Sequence, residues 1–240
     1  MRILYAADYN DLSRKAANII GAQVILKPDC VLGLATGSSP LGTYKCLIEG
    51  YEKGDLDFSR CSAANLDEYR GLTKDNDQSY AYFMYENLFK HINIDMANTN
   101  IPDGTNPDAE AECKRYDAAV AALGGVDIQL LGIGNNGHIG FNEPEDVFRR
   151  YTHEARLTDM TREANRRFFA SLEEVPLSAV TMGIGTVMGA ERILLMATGK
   201  DKHAIMEKAF KGPVTPWVPA SILQFHHDVT VIVDEDCFRG

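Results

Sequence analysis

A chain of 240 residues, 45% hydrophobic and 24% charged, has ordinary globular composition and is long enough to bury a sizeable core. That excludes a disordered tail, a collagen-like repeat and a low-complexity protein. Its 34 acidic and 24 basic residues give a formal charge of −10, with no Lys/Arg run longer than pairs such as Arg149-Arg150 and Arg166-Arg167. Nucleic acid is therefore excluded as a partner, whereas a small anion held by one or two cations is not.

Short apolar runs alternate with helical spacings along the chain. Met1–Ala6 reads as a strand, and Leu12, Ala16, Ile19, Ile20 and Val24 fall at helical intervals within 10–27. Val31–Ala35 is a buried strand that stops at Thr36-Gly-Ser-Ser-Pro40, and a helix follows over 41–53. Ser62–Asn65 is a short strand entering the loop Leu66-Asp-Glu-Tyr-Arg-Gly71. Helices are expected over 78–89 and 107–123, the second with Pro107 and Asp108 in its first turn. Val126–Leu131 is a strand ending in Gly132-Ile-Gly-Asn-Asn-Gly-His-Ile-Gly140. A strand over 152–157, a helix over 159–169, strands over 179–182 and 192–197, a helix over 200–210 stopped by Gly212-Pro213, and a last strand over 229–233 complete the pattern.

Strands alternating with helices predict βαβ units and a mostly parallel sheet, an α/β fold. No linker, composition break or internal repeat divides the chain, so a single domain over 1–240 is expected. The five cysteines are odd in number and lack CxxC or metal-finger spacing, which fits free thiols in a reducing compartment. The N-terminus has neither signal-peptide nor transit-peptide character, and no run approaches the roughly 18 apolar residues of a membrane span, so a soluble, cytoplasmic protein is expected.

Parallel sheets bind ligands outside the carboxyl ends of their strands. Three motif-rich loops, 36–40, 66–71 and 132–144, follow strand ends, and right-handed crossovers put all three on one side. The first offers close backbone approach at glycine, three hydroxyls and a following helix, which suits a phosphate; it equally suits a strand-to-helix turn with Ser38 or Ser39 as N-cap. The third matches G-x-G-x-x-G literally. It lies past mid-chain, and His138, Phe141, Asn142 and Pro144 follow without helical periodicity, so it is not a dinucleotide fingerprint. Its glycines suit a substrate loop in which His138 carries a proton and Glu143 orients the ring, although a structural Gly-rich turn has the same appearance. In the second loop Asp67 reads either as an Asx-capped turn or as a carboxylate base.

Other features read as structural. His226-His227 precedes the last strand, where neighbours point to opposite faces and make no metal site. Phe168-Phe169 and the methionines read as core, and Glu110, Glu112 and Asp117 as a solvated helix face.

Leu34-Ala-Thr-Gly-Ser-Ser-Pro40, Leu66-Asp-Glu-Tyr69, Gly132 through Pro144, Asn165-Arg-Arg-Phe-Phe169 and Thr181-Met-Gly-Ile-Gly-Thr186 together resemble, in order and spacing, the glucosamine-6-phosphate deaminase (glucosamine-6-phosphate isomerase) family. The Gly-His-Ile-x-Phe-Asn-Glu-Pro block is specific to that family, while the Thr-Gly-Ser loop is shared with 6-phosphogluconolactonases. The resemblance implies a Rossmann-like, doubly wound sheet with helices on both faces, and cofactor-free conversion of glucosamine 6-phosphate and water to fructose 6-phosphate and ammonia. It places the proton-transfer base at Asp67, the ring-opening group at His138 and its partner at Glu143. Asn136 stands where some members carry an aspartate. The phosphate falls to Thr36, Gly37, Ser38, Ser39, Arg167 and Lys202, and a mobile lid to about 151–169. No metal is implied. His153 and Ala155 stand where allosteric members carry basic residues, and the chain ends soon after Cys237, so no activation by N-acetylglucosamine 6-phosphate is expected and a monomer is favoured over a homo-oligomer. The alternatives are a 6-phosphogluconolactonase-like hydrolase, which needs no base at Asp67, and a sugar-phosphate sensor, for which the chain has no DNA-binding module.

Overall fold

The structure, a computed structural model, describes residues 1–239. In chain order the elements are β1 (Arg2–Ala6), α1 (Tyr9–Leu26), β2 (Val31–Leu34), α2 (Leu41–Glu52), β3 (Ser62–Asn65), β4 (Asp67–Tyr69), α3 (Tyr80–Asn87), β5 (Thr99–Asn100), α4 (Ala109–Ala122), β6 (Ile128–Leu131), β7 (His153–Arg156), α5 (Asp159–Asn165), β8 (Ser178–Thr181), α6 (Ile184–Met188), β9 (Arg192–Ala197), α7 (His203–Lys211) and β10 (Val229–Asp234). Helices α1, α3, α4 and α5 begin where side chains satisfy their first amides: Asp8 accepts from Asp11 N, Ser79 from Tyr82 N, Asp108 from Ala111 N and Thr158 from Thr161 N.

Seven strands form a parallel sheet in the order β1-β10-β9-β6-β2-β3-β5. Alternation divides its side chains between two apolar layers. Ile193, Leu195, Val229, Val231 and Val233 pack with Tyr116 and Val120 of α4 and Met206 and Phe210 of α7. Leu194, Met196 and Ile232 face the other way, onto Leu12 and Ile20 of α1 and Tyr44 and Leu47 of α2. This is the expected doubly wound α/β architecture. From β2 the chain moves outward to β3 and β5, then returns to place β6 on the other side of β2, so the order reverses between β2 and β6 and opens a crevice there.

A smaller antiparallel sheet, β4-β8-β7, stands beyond that crevice. Its β4 arises where a loop was expected: the chain leaves β3 at Leu66 and immediately pairs Asp67–Tyr69 with Ala179–Thr181. The three-residue run is too short to show periodicity in sequence. Between β7 and β8 the chain makes a single excursion, and Leu157 N donates to Leu177 O (2.9 Å) where it leaves and returns. The ladder to β8 fixes His153–Arg156, so within 151–169 the part that overhangs the crevice is α5 and the turn Arg166–Phe168.

Several local expectations need correction. Asp108 caps α4 from outside, with Pro107 before it, because a side chain that accepts from Ala111 N must sit outside the first turn. Helix α2 begins at Pro40 without a side-chain cap, so neither Ser38 nor Ser39 is an N-cap; the Tyr9 hydroxyl meets that end, accepting from Gly42 N at 2.9 Å. Glu112 is fully buried, accepting from Asp103 N and pairing with Arg115, and Asp117 accepts from Thr152, so only Glu110 of those three acids is on a solvated face. His226 ends a 3-10 turn before β10, and its ring stacks on His227 at 4.5 Å instead of pointing away. Phe168 is 41% exposed under the Arg167 guanidinium, and Met1, Met96 and Met160 are also exposed. Among the described residues no helix is long and apolar enough to cross a membrane, and the five cysteines are free.

Candidate active site

The loops after β2 and β6, the start of β4 and the α5 segment line a cleft of about 390 Å³ at the reversal of strand order. Thr36, Gly37, Ser38, Ser39, Asp67, Asn136, His138, Arg167 and Lys202 all face it, while Glu143 stands behind His138. The structure therefore brings every sequence-predicted site residue together. A larger concavity of about 780 Å³ lies on the other side of β4, lined by Glu68, Tyr82, Tyr85, Phe89 and Asp103, and holds none of them.

At the cationic end, Gly37 takes a left-handed backbone (φ 87°), leaving the Ser38 and Ser39 hydroxyls exposed ahead of α2. Arg167 Nη2 donates to Ser38 Oγ at 3.2 Å across the cleft. Lys202 Nζ donates to Ile133 O (2.8 Å) and Asn135 Oδ1 (2.5 Å), which leaves one ammonium N–H for a ligand. Burial, with Arg167 nearby, holds Lys202 below the usual lysine range. Two cations converging on glycine and hydroxyl groups suit a phosphate.

Asp67 begins β4 and is 6% exposed. Burial, reinforced by the Glu68 carboxylate, pushes its carboxyl well above the usual carboxylate range. Aromatic rings stand on its side of the cleft: Tyr80 stacks on Phe141 at 5.9 Å, and Tyr69 lies 4.7 Å from Tyr80. Gly140 lets the loop approach β4 and β8, since its φ is 58° and a Cβ there would stand 3.0 Å from Thr181 Oγ1 and 3.4 Å from Asp67 Oδ2. Glu68 points away and caps α3, accepting from Tyr69, Tyr80 and Ala81 N; burial still lifts it to about 7.

His138 lies against Gly134, where any Cβ would strike the imidazole. Its Nδ1 is 3.6 Å from Glu143 Oε2. Asn136 Nδ2 donates to that oxygen at 2.6 Å, and Asn136 Oδ1 accepts from His138 N at 3.1 Å, so the asparagine ties both partners. Burial pushes Glu143 up, but His138, Thr161 and Asn136 together more than offset it and hold the carboxyl below its usual range. An acid kept ionised beside an imidazole fixes its tautomer and stabilises its cation.

Sequence reasoning missed several lining residues. Thr161 Oγ1 donates to Glu143 Oε1, and Asn165 Nδ2 donates to the Tyr69 hydroxyl at 2.9 Å. Thr158-x-x-Thr161 has capping spacing, and this alone could have drawn attention to Thr161; Asn135 lies within the glycine-rich loop, and Tyr80 carries no local signal. The glycine-rich loop opens no α-helix, in keeping with the rejected dinucleotide reading.

Proton transfer beside an anion-binding rim is what this cleft offers, and it places the molecule among α/β enzymes of small anionic substrates. The sequence pattern of the glucosamine-6-phosphate isomerase/6-phosphogluconolactonase family matches residues 7–232, and the chain belongs to that family. It is 62% identical over 239 residues to a glucosamine-6-phosphate deaminase of Lachnoclostridium phytofermentans, covering 100% of both chains. It is 53% identical over 236 residues to that of Clostridium novyi, covering 98% of each. A solved monomeric glucosamine-6-phosphate deaminase superimposes with a TM-score of 0.97 at 45% identity, over 99% of this chain and 98% of that one. A 6-phosphogluconolactonase from Thermotoga maritima, with a TM-score of 0.75 at 21% identity over 98% and 99% of the two chains, shares the fold.

Proposed function

We propose that the protein converts glucosamine 6-phosphate and water to fructose 6-phosphate and ammonia, as the names of its similar relatives indicate. The observation that carries this reading is Asp67. A carboxylate withdrawn from water, facing the same cleft as His138 and the phosphate loop, is placed as the base that abstraction of a C2 proton requires, and lactone hydrolysis has no use for one there.

Arg167, the remaining Lys202 N–H and the Thr36–Ser39 loop hold the phosphate and orient the sugar. His138 takes the O1 hydroxyl proton through Nε2 and delivers it to O5, opening the ring. Glu143, tied by Asn136, holds Nδ1 protonated and stabilises the transient imidazolium. Asp67 removes the C2 proton to give an enolamine, and a proton returns at C1. The amine then stands on C2 as an iminium, to which water adds as ammonia leaves. The described chain acts as one catalytic unit, with α5 and the turn after it as the lid. The protein works as a monomer in the cytoplasm, a reading that the solved monomeric relative supports for the assembly.

The test is a coupled assay on purified, chelator-treated protein supplied with glucosamine 6-phosphate. Equal appearance of ammonia and fructose 6-phosphate, lost in Asp67→Asn, is expected. Saturable binding without turnover would redirect the reading to a sensor, and hydrolysis of 6-phosphogluconolactone instead would redirect it to the lactonase branch.

A further inference from the structure

Thr161 lies outside the motif blocks that carry the base and the relay, yet its hydroxyl touches both members of that relay. It is 3% exposed. Its Oγ1 donates to Glu143 Oε1, accepts from the Thr158 hydroxyl at 3.0 Å and lies 3.5 Å from His138 Nδ1, the outer limit of hydrogen bonding. The Nδ1–Oε2 separation is 3.6 Å, so the imidazole has the carboxylate and the Thr161 hydroxyl at nearly the same distance. The threonine hydroxyl thus braces the relay: its proton points to Glu143 Oε1, and its lone pairs are left for the Thr158 hydroxyl and for Nδ1–H. The ionisable group facing Glu143 is His138, from the glycine-rich loop; Asn136 of that loop, Thr158 capping α5 and Thr161 within it are neutral.

Thr161 does not come from the loop that carries His138 and Glu143. It sits on α5, and the turn continuing that helix carries Arg167, whose guanidinium reaches Ser38 at the phosphate end. One short segment therefore touches both ends of the cleft. Its middle is held by Asn165 on the Tyr69 hydroxyl, so the two contacts are placed together.

We propose that Thr161 is a positioning residue that couples the two ends of the substrate: the segment that places Arg167 at the phosphate end also keeps Thr161 on Glu143 and so holds His138 in its Nδ1–H tautomer. Binding energy from the non-reacting phosphate is thereby spent on aligning the ring-opening base. The inference rests on the proposed reaction, and one of its readouts does not depend on turnover.

The experiment compares Thr161→Val, which keeps the branched shape without the hydroxyl, with Thr161→Ser, which keeps the hydroxyl. In the valine variant kcat for glucosamine 6-phosphate falls by roughly ten- to a hundredfold with KM little changed, the loss expected for a hydrogen bond to a charged group. The acid limb of its kcat profile moves to higher pH, because Glu143 loses a donor that favours its ionised form. Serine restores both. In a double-mutant cycle with Arg167→Gln the losses are less than additive. Nitrogen-15 NMR of the imidazoles, read without substrate turnover, shows the His138 Nδ1–H tautomer in the wild type and a changed tautomer population in Thr161→Val. Should the valine variant fail to fold, Thr161→Ala carries the same readouts. An unshifted pH profile and unchanged tautomer, a defect that serine does not rescue, or strict additivity with Arg167→Gln would each overturn the proposal. Absence of wild-type turnover removes the proposed reaction and leaves the tautomer result to decide the relay.

Discussion

The cleft has two carboxylate-bearing regions, and they treat the same chemical group in opposite ways. On β4, Asp67 is withdrawn from water among aromatic rings, accepts no hydrogen bond from the described residues and is pushed upward. In the glycine-rich loop Glu143 is also withdrawn, with its side chain 9% exposed, yet it is held down. Glu68 makes the contrast plainer: three backbone amides bond to it, and burial, with the Asp103 carboxylate nearby, still leaves it at about 7. At Glu143 the neighbouring imidazole, a hydroxyl and a side-chain amide together outweigh burial. One region is built to accept a proton from carbon, the other to remain charged while its neighbour exchanges one.

Removing the unpartnered acid breaks this contrast most sharply. Asp67→Asn is expected to lose deamination by about 10²–10⁴-fold, the usual contribution of a general base, while calorimetry still detects binding of the sugar phosphate. Loss of binding as well would make Asp67 a structural group. His138→Gln is next, with a loss of about 10²-fold on the ring form and less on an open-chain analogue. Equal losses on both substrates take ring opening away from His138.

Stability sharpens the comparison from another side. The raised carboxyl of Asp67 means that the folded state binds the proton more tightly than the unfolded one. Its contribution is therefore favourable at low pH and is lost as pH rises through the window above the ordinary aspartate value. Asp67→Asn is thus expected to stabilise by about 1–2 kcal/mol at pH 8 and to give no gain near pH 3, measured by urea unfolding at both pH values. Glu143 has the reverse sign, its stability being present above the ordinary glutamate value and lost as pH falls through the depressed one, so Glu143→Gln destabilises at pH 8. The smallest effect belongs to Asn136→Asp. A second carboxylate against Glu143 Oε2 raises the pair's apparent titration and moves the acid limb of kcat upward, with kcat at pH 8 within a few-fold of wild type.

The sequence carried the large-scale pattern well because alternation and helical spacing are local signals. The runs at 31–35, 126–131, 192–197 and 229–233 all became central strands of one parallel sheet. β4 escaped notice because its pairing with β8 is a contact between distant parts of the chain that three residues cannot announce. The site residues were legible where they clustered in motifs. Thr161 lies in none of them, and Asn165 stands in one without a visible role, since the contacts of both arise only when α5 folds over the crevice. Glu112 and Asp117 misled because acids at helical spacing look solvated until their partners, Arg115, the Asp103 amide and Thr152, are known.

The hydrogen bond from Leu157 N to Leu177 O has a consequence for how this scaffold can be altered. Since the excursion over 158–176 departs and returns at a single point, the cost of closing it hardly changes with its length. The overhanging piece is therefore a cassette: beyond Arg167 it can be shortened or extended, and a graft that keeps the Thr161, Asn165 and Arg167 contacts leaves β4, β7 and β8 in register and the base in place. Exchange of that one segment is a route to altered substrate choice that leaves the hydrophobic layers of the main sheet untouched.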